Sequence, residues 1–319
     1  MPKRFIFMGL FILIVALASW VAAERWQKNN LLKSVEKTLP TLISQGEKIK
    51  IVTSLFPWYD LAREIGGERI SVSLLLPPGT EAHSFEPTPG DMIAVSKADL
   101  FVYTGDYLEP WAQDIIDSFE GAAGRSLALG ESAATLVDED EESGLDPHIW
   151  LDPMIMDNLA GRLAQKLADL DPTNRSYYNQ RLENYRASLE KLDVDYREKL
   201  SKCAHKEFIY AGHYAFGYLA ARYGLQYEAA QGFSPDAESS PQRLTELADL
   251  IKEKNIAYIF AEELDNPQLA ETLARKQGVT ILFLNSAHNL SKADIKAGLS
   301  YEEIMRNNLD KLIIAFKCR

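Results

Sequence analysis

Five histidines occur in this 319-residue chain, and four of them stand where a loop follows a β-type run. His83 lies in PPGTEAHSFEPTP, His148 in LDPHIWLDP, His213 in YAGHYAFGYLA and His288 in LFLNSAHNLS. Imidazole is a neutral, borderline ligand suited to zinc, and zinc usually takes four donors. Taken singly, each histidine has an ordinary structural reading: a loop residue bonding backbone, a partner of a flanking aspartate, or the first residue of a helix. Taken together, His83, His148, His213 and His288 predict one site for a divalent transition metal. His205 precedes its strand and is expected to face away. A ligating histidine usually gives its other ring proton to a carboxylate or carbonyl. Glu81, Asp146, Asp152 and Glu262 are candidates for that part, and each could equally cap a helix or brace a loop.

The elements that must carry these residues alternate strand and helix. Short β-branched or apolar runs cover residues 50–55, 70–76, 100–103 and 126–129 in the first half. Similar runs cover 207–211, 225–229, 257–261 and 279–284 in the second. Helical segments fill the gaps. One opens at Pro57 and stops at Gly66-Gly67, one begins near Asp91 and one at Glu109; later ones cover 216–223, 241–254, 267–277 and 301 onward. Such alternation predicts an α/β protein with parallel sheets flanked by helices. In such sheets ligands bind beyond the carboxyl ends of the strands, where the four histidines fall. Between the halves, Asp171-Pro172 starts a run to Cys203 free of further Gly or Pro. Leu182, Tyr185, Leu189, Leu192, Tyr196 and Leu200 form its apolar stripe. A helix of that span is about 45 Å long, enough to run along two lobes. The expected organisation is a signal or anchor at 1–23, a linker at 24–47, an N-terminal lobe at 48–170, a connecting helix at 171–203 and a C-terminal lobe at 204–319.

The compartment is written at the start. Lys3 and Arg4 precede an uncharged run from Phe5 to Ala23 that ends in Val21-Ala22-Ala23, the layout of an export signal. The run nearly reaches membrane-spanning length, so it either is cut or stays as an anchor. Both outcomes place the rest of the chain outside the cytoplasm. A formal charge of −12 argues against nucleic acid as a partner. The acidic run Asp138 to Glu142 reads as a solvated loop tip. Two cysteines cannot build a thiolate zinc site, but Cys203 and Cys318, both at helix ends, could form one disulfide.

The segments PGTEAHSFEPTPGD, DPHIWLDP and GHYAFGYLA resemble the ligand loops of the metal-binding solute-binding proteins of ABC importers, the group that takes up zinc and manganese. FSPDAESSPQRLTELADLIKEKNIAYIFAE is similar to that family's entry into its C-terminal lobe, and the likeness covers nearly all of the chain after Lys48. The resemblance implies two lobes, a long connecting helix and one buried ion, and it carries ligation onto His83, His148 and His213. Manganese members usually place Glu where His213 stands, so the resemblance favours zinc. Where many members end the last strand with a ligating Asp, this chain has Asn285. Some zinc members with Asn there place Glu three residues later, and His288 stands at that place. The implied function is a monomeric extracytoplasmic protein that delivers Zn2+ to a membrane permease, with no catalysis. The competing readings are a manganese or other divalent-metal binder of the same family, a three-histidine zinc enzyme, an added adhesin role, and a cobalamin or siderophore binder. No HExxH segment supports the enzyme.

Overall fold

A computed structural model of the protein describes residues 47–119, 121, 123–131, 145–233, 239–264 and 267–319. The export segment, nearly all of the 24–47 linker and the acidic run Asp138 to Glu142 lie outside the described residues. Among the described residues no helix is long and apolar enough to cross a membrane.

Two four-stranded parallel sheets form the frame. The first contains β1 (Ile49–Thr53), β2 (Ile70–Leu74), β3 (Leu100–Tyr103) and β4 (Ser126–Ala128) in the order β2-β1-β3-β4. The second contains β5 (Glu207–Tyr210), β6 (Gln226–Ala229), β7 (Tyr258–Glu262) and β8 (Thr280–Leu284) in the order β6-β5-β7-β8. Both orders place the first strand inside the sheet, with its successor on one side and the third strand on the other. All eight expected strands are present, and all pair in parallel. The central strands bury most of their residues because helices cover both faces. Leu100, Phe101, Val102 and Tyr103 of β3 are all buried.

The helices of the first sheet are α1 (Phe56–Gly66), α2 (Pro89–Ser96) and α3 (Trp111–Ser118). Those around the second are α6 (Gly217–Tyr223), α7 (Pro241–Glu253), α8 (Gln268–Gln277), α9 (Lys292–Ala297) and α10 (Tyr301–Ala315). Between them run α4 (Pro153–Leu170) and α5 (Arg175–Leu200). Several helix starts carry side-chain caps. Thr88 with Asp91 and Ser300 with Glu303 form capping boxes, and Ser240 accepts from Arg243 N. Asp171, expected to cap the long helix, makes no side-chain cap hydrogen bond, because a 3₁₀ turn intervenes and Asn174 stands at the cap position. Gly67 does have positive φ (50°), but its ψ of −129° is not that of a left-handed cap.

The connecting helix α5 has 26 residues, about 39 Å, after a single 3₁₀ turn at Pro172–Asn174. It buries Tyr178, Leu182, Tyr185, Leu189, Leu192, Tyr196 and Leu200. It packs on α4, on α1 of the first half and on α10 of the second. Tyr196 donates its hydroxyl to Met305 O at 2.6 Å, and Arg181 donates to Glu64 O at 2.5 Å. The helix α4 was not read from sequence, although Asp152 caps it by accepting from Met154 N and Ile155 N, and Pro153 opens it. Glu109 does not begin α3, which starts at Trp111. Instead its buried carboxylate ties the ends of two strands. It accepts from Ser54 Oγ (2.6 Å), Thr104 Oγ1, Thr104 N and Gly105 N (3.0 Å each).

Cys203 and Cys318 form a disulfide that closes a sequence separation of 115 residues and ties the end of α5 to the chain after α10. Labelling of the denatured, non-reduced protein is expected to find no reactive thiol at either position. Reduction is expected to lower stability by about 2–5 kcal/mol. Two labelled thiols would refute the bridge.

Burial of Glu109 outweighs its four donors and pushes its pKa from 4.5 to about 7. A folded pKa above the unfolded one gives stability that is complete below about 4.5 and is lost as pH rises through about 7. In metal-free protein, Glu109→Gln should lower stability most at low pH, where the neutral wild-type carboxyl makes its full contribution. It should also flatten the decline between pH 5 and 8. Urea unfolding across that range checks the slope, and an unchanged slope would contradict the assignment.

Candidate metal centre

The loops after the strands bring three histidines to one point. His83 stands in the chain between β2 and α2, His148 just before a 3₁₀ turn at Ile149–Leu151, and His213 just after β5. Their ligand nitrogens all lie within 4.8 Å of one another. Nε2 of His83 and Nε2 of His148 are 3.3 Å apart. Two nitrogens each 2.0–2.1 Å from one tetrahedral ion stand about 3.3–3.4 Å apart, so this pair already spans one edge of a zinc polyhedron. Ring centroids are separated by 5.3 Å (His83–His148), 5.5 Å (His83–His213) and 5.1 Å (His148–His213). His148 and His213 are fully buried, and His83 is partly so.

The His148 ring is aimed by Asp146. Asp146 Oδ1 accepts from the His148 backbone N at 2.9 Å and faces its Nδ1 at 2.7 Å. A proton on Nδ1 leaves the Nε2 lone pair directed at the cluster. Burial holds His83 and His148 well below the usual imidazole range, with the neighbouring rings adding to the effect. Both therefore stay neutral, the form that binds metal. Burial also pushes Asp146 up to about 8 in the metal-free site. A divalent cation nearby works against that shift by favouring the carboxylate.

The other expected partners divide. Glu81 accepts from the His83 backbone N at 2.9 Å and so braces the loop through its backbone. Asp152 does not serve a histidine: besides capping α4 it pairs with Arg222 at 3.3 Å, and Arg222 Nε also donates to Asp193 Oδ1 at 2.7 Å. That trio links the His148 segment, α5 and the helix following His213. Glu262 is buried and accepts from Tyr210 Oη (2.8 Å) and Ser286 N (3.2 Å), beside the turn that carries His288.

His288 stands beside the three-histidine group and not within it. It is buried, its ring centroid is 6.2 Å from that of His213, and its Nδ1 makes a short hydrogen bond with Ser286 Oγ. The turn is tight, with Ala287 at φ 61°. Asn285 is occupied by structure: its Oδ1 accepts from Ala287 N, its Nδ2 donates to Glu263, and its backbone exchanges bonds with Asn308. His205 precedes β5, at the end of the strand opposite His213, and its N–H goes to Phe316 O.

Sequence reading passed over the residues that bind the His288 turn to the first half. Trp150 Nε1 donates to Ser286 O at 2.7 Å, and Phe56 N donates to His288 O at 3.3 Å. Trp58 meets Trp150 edge-on with centroids 5.8 Å apart. The tryptophan two residues after His148 was the visible signal, since a buried indole N–H needs an acceptor.

Two parallel-sheet lobes carried on one long helix, with imidazoles converging at the strand ends, define a metal-binding solute-binding protein. The chain belongs to the family described as zinc-uptake complex component A, periplasmic, whose pattern matches residues 51–315. It is 36% identical over 285 residues to the high-affinity zinc uptake system protein ZnuA of Bacillus subtilis, covering 84% of this chain and 88% of that one. It matches the structure of Zn(II)-bound AdcA from Streptococcus pneumoniae with a TM-score of 0.72 and 33% identity; 84% of this chain aligns with 58% of the longer AdcA chain. A laminin-binding protein of Streptococcus agalactiae, described as bifunctional with adhesin and metal transporting activity, matches with a TM-score of 0.76 and 31% identity, covering 85% of this chain and all of that one.

Asp146→Asn should weaken zinc binding about 10–100-fold, because the amide no longer fixes the His148 ring with a charged acceptor. The fold should survive. Affinity from competition with a chelating dye, set against the thermal midpoint of the metal-free variant, tests this. Wild-type affinity in Asp146→Asn would remove Asp146 from the site.

Proposed function

We propose that this protein captures one zinc ion outside the cytoplasm and hands it to the membrane permease of an ABC importer. His83, His148 and His213 supply three ligands. The observation that carries this reading is the convergence of three ligand nitrogens within 4.8 Å, one pair already at the edge length of a tetrahedral zinc site. Membership of the zinc-uptake family supports the same cargo and the same compartment.

The fourth ligand in this reading is His288, reached by a small closing movement. Its Nδ1 is engaged by Ser286, so the ion would meet Nε2. Four neutral imidazoles leave the ion's +2 charge intact, and the buried carboxyl groups of Asp146 and Glu262 offset it from outside the ligand set. Manganese prefers oxygen donors and gains little from an all-imidazole site. Four protein ligands leave no position for a substrate, so the site stores and releases rather than catalyses. The working unit is a monomer. Lobes at 48–170 and 204–319 close on the ion about the connecting helix at 171–203, and the segment 1–23 directs export and is then either cut or kept as an anchor.

One zinc per chain is expected, with manganese unable to displace it. Native mass spectrometry and competition titration read both, and tighter manganese than zinc binding would sink the proposal. His83→Ala, His148→Ala and His213→Ala should each cost more than the roughly 10–100-fold lost with an outer hydrogen-bond partner. His205→Ala should cost nothing. His288→Ala should speed zinc release, and Asn285→Ala should do less. If His288→Ala holds zinc as tightly and as slowly as wild type, the site is three histidines and solvent.

A further inference from the structure

Of the three converging histidines, His148 and His213 sit on fully buried segments, whereas His83 is partly exposed on residues 75–88, which hold neither helix nor strand. A ligand on such a segment is the one whose withdrawal costs least, so the ion's path in and out runs past His83. Leu75 N and Leu76 N tie the start of this segment to Thr53 O and Ser54 O, and Phe85 packs edge-on against Trp111 of the same lobe, but the turn between them is fastened from the other lobe. Residues Pro77 to Thr80 form a turn in which Thr80 N donates to Pro77 O at 3.1 Å and Gly79 sits at φ 76°. Asn289, immediately after His288, reaches both ends of that turn. Its Nδ2 donates to Pro77 O at 2.9 Å and to Thr80 O at 2.6 Å. Gly79 N donates to Leu290 O at 3.0 Å. The Asn289 Oδ1 is taken locally by Leu290 N at 2.7 Å, so the amide is fixed in the orientation that points both N–H bonds across the lobes. Asn289 is itself 1% exposed, while its acceptors lie on a partly exposed turn.

We propose that Asn289 is a positioning residue that latches the His83 loop to the His288 turn, and that breaking this latch sets the rate of zinc release. The inference rests on the reading that His83 ligates zinc. With the latch made, withdrawal of His83 requires the turn at 77–80 to leave the second lobe. With it broken, the loop lifts while His148 and His213 stay in place. Because the same turn of chain presents His288 and Asn289, a movement of the second lobe that pulls back one ring also unlatches the other. A docked permease that separates the lobes would thus loosen two ligands in one motion.

Asn289→Asp tests the donors alone. It keeps the size and the acceptor for Leu290 N but loses both N–H bonds and sets a carboxylate against two carbonyls. Asn289→Ala removes the group without adding charge. Zinc release from the full-length protein into excess chelating dye, followed by stopped flow, should be at least about tenfold faster in both variants, the expected scale for losing two hydrogen bonds. In a His83→Ala background the same substitutions should change release by less than about twofold, because the residue they act through is gone. Amide exchange at residues 79–88 should rise in zinc-loaded Asn289→Asp while β5 and β8 keep their protection. Release unchanged in both variants would overturn the latch alone. Equal acceleration with and without His83 would also overturn it, because the effect would then be one on general stability. Absence of zinc uptake by the wild-type protein would overturn the proposed function and the latch's part in release with it.

Discussion

The structure depends on holding three imidazoles, tilted or edge-on to one another, where little water reaches them. Imidazoles brought this close repel when protonated, so the arrangement requires neutral rings and gains from hydrogen bonds that hold them. Burial supplies the first condition by depressing the proton affinity of His83 and His148. Directional hydrogen bonds supply the second: Asp146 behind His148, Ser286 behind His288, and Glu81 on the backbone of His83. His83 and His148, kept neutral, have no proton to shed before meeting a cation.

Holding the rings also requires the two halves of the chain to keep register over a long distance. The polar ties across the middle are buried and directional. Tyr301 Oη donates to Trp150 O at 2.6 Å, Tyr301 N donates to Asp60 Oδ2 at 2.9 Å, and Tyr218 Oη donates to Asp146 O at 3.2 Å. Arg222 bonds at once to Asp152 and Asp193, so the cap of α4, the middle of α5 and the end of α6 share one cation. Apolar packing alone would tolerate sliding between lobes, whereas hydrogen bonds with fixed angles do not. The long helix gives these ties a common reference, since it touches helices of both halves along its length.

Binding and release make opposite demands on such a protein. Permanent closure would trap the ion, and a loose site would not capture it. The asymmetry among the histidines answers both. Two are fully buried, one sits on an irregular loop, and one stands on a turn bound by hydrogen bonds to the opposite lobe. Family relatives described as zinc uptake proteins share the fold over most of the chain, which fits an architecture that separates what must stay from what must move.

Local sequence determined the elements and the compartment. Strand and helix periods, caps such as Thr88 and Ser300, and the placement of four histidines after strands all act within a few residues, and each could be read directly. The pairing of Cys203 with Cys318 was legible as one of two outcomes, because helix ends can be located but not brought together on paper. The tertiary structure decided what side chains do once placed. Asp146 and Asp152 both flank His148 within one short segment, yet Asp152 caps a helix and meets Arg222 while Asp146 backs the imidazole. Glu109 looked like a helix start and is a buried clasp between strand ends. The turn that carries His288, with Ala287 at positive φ, sets its ring centroid 6.2 Å from that of His213. Asn289 carried no signal at all, because its partners are Pro77 and Thr80, more than two hundred residues away in sequence. Backbone preference is local and travels with the sequence. The direction of a polar side chain is fixed by whichever donor or acceptor the fold brings near, and only the assembled lobes bring them.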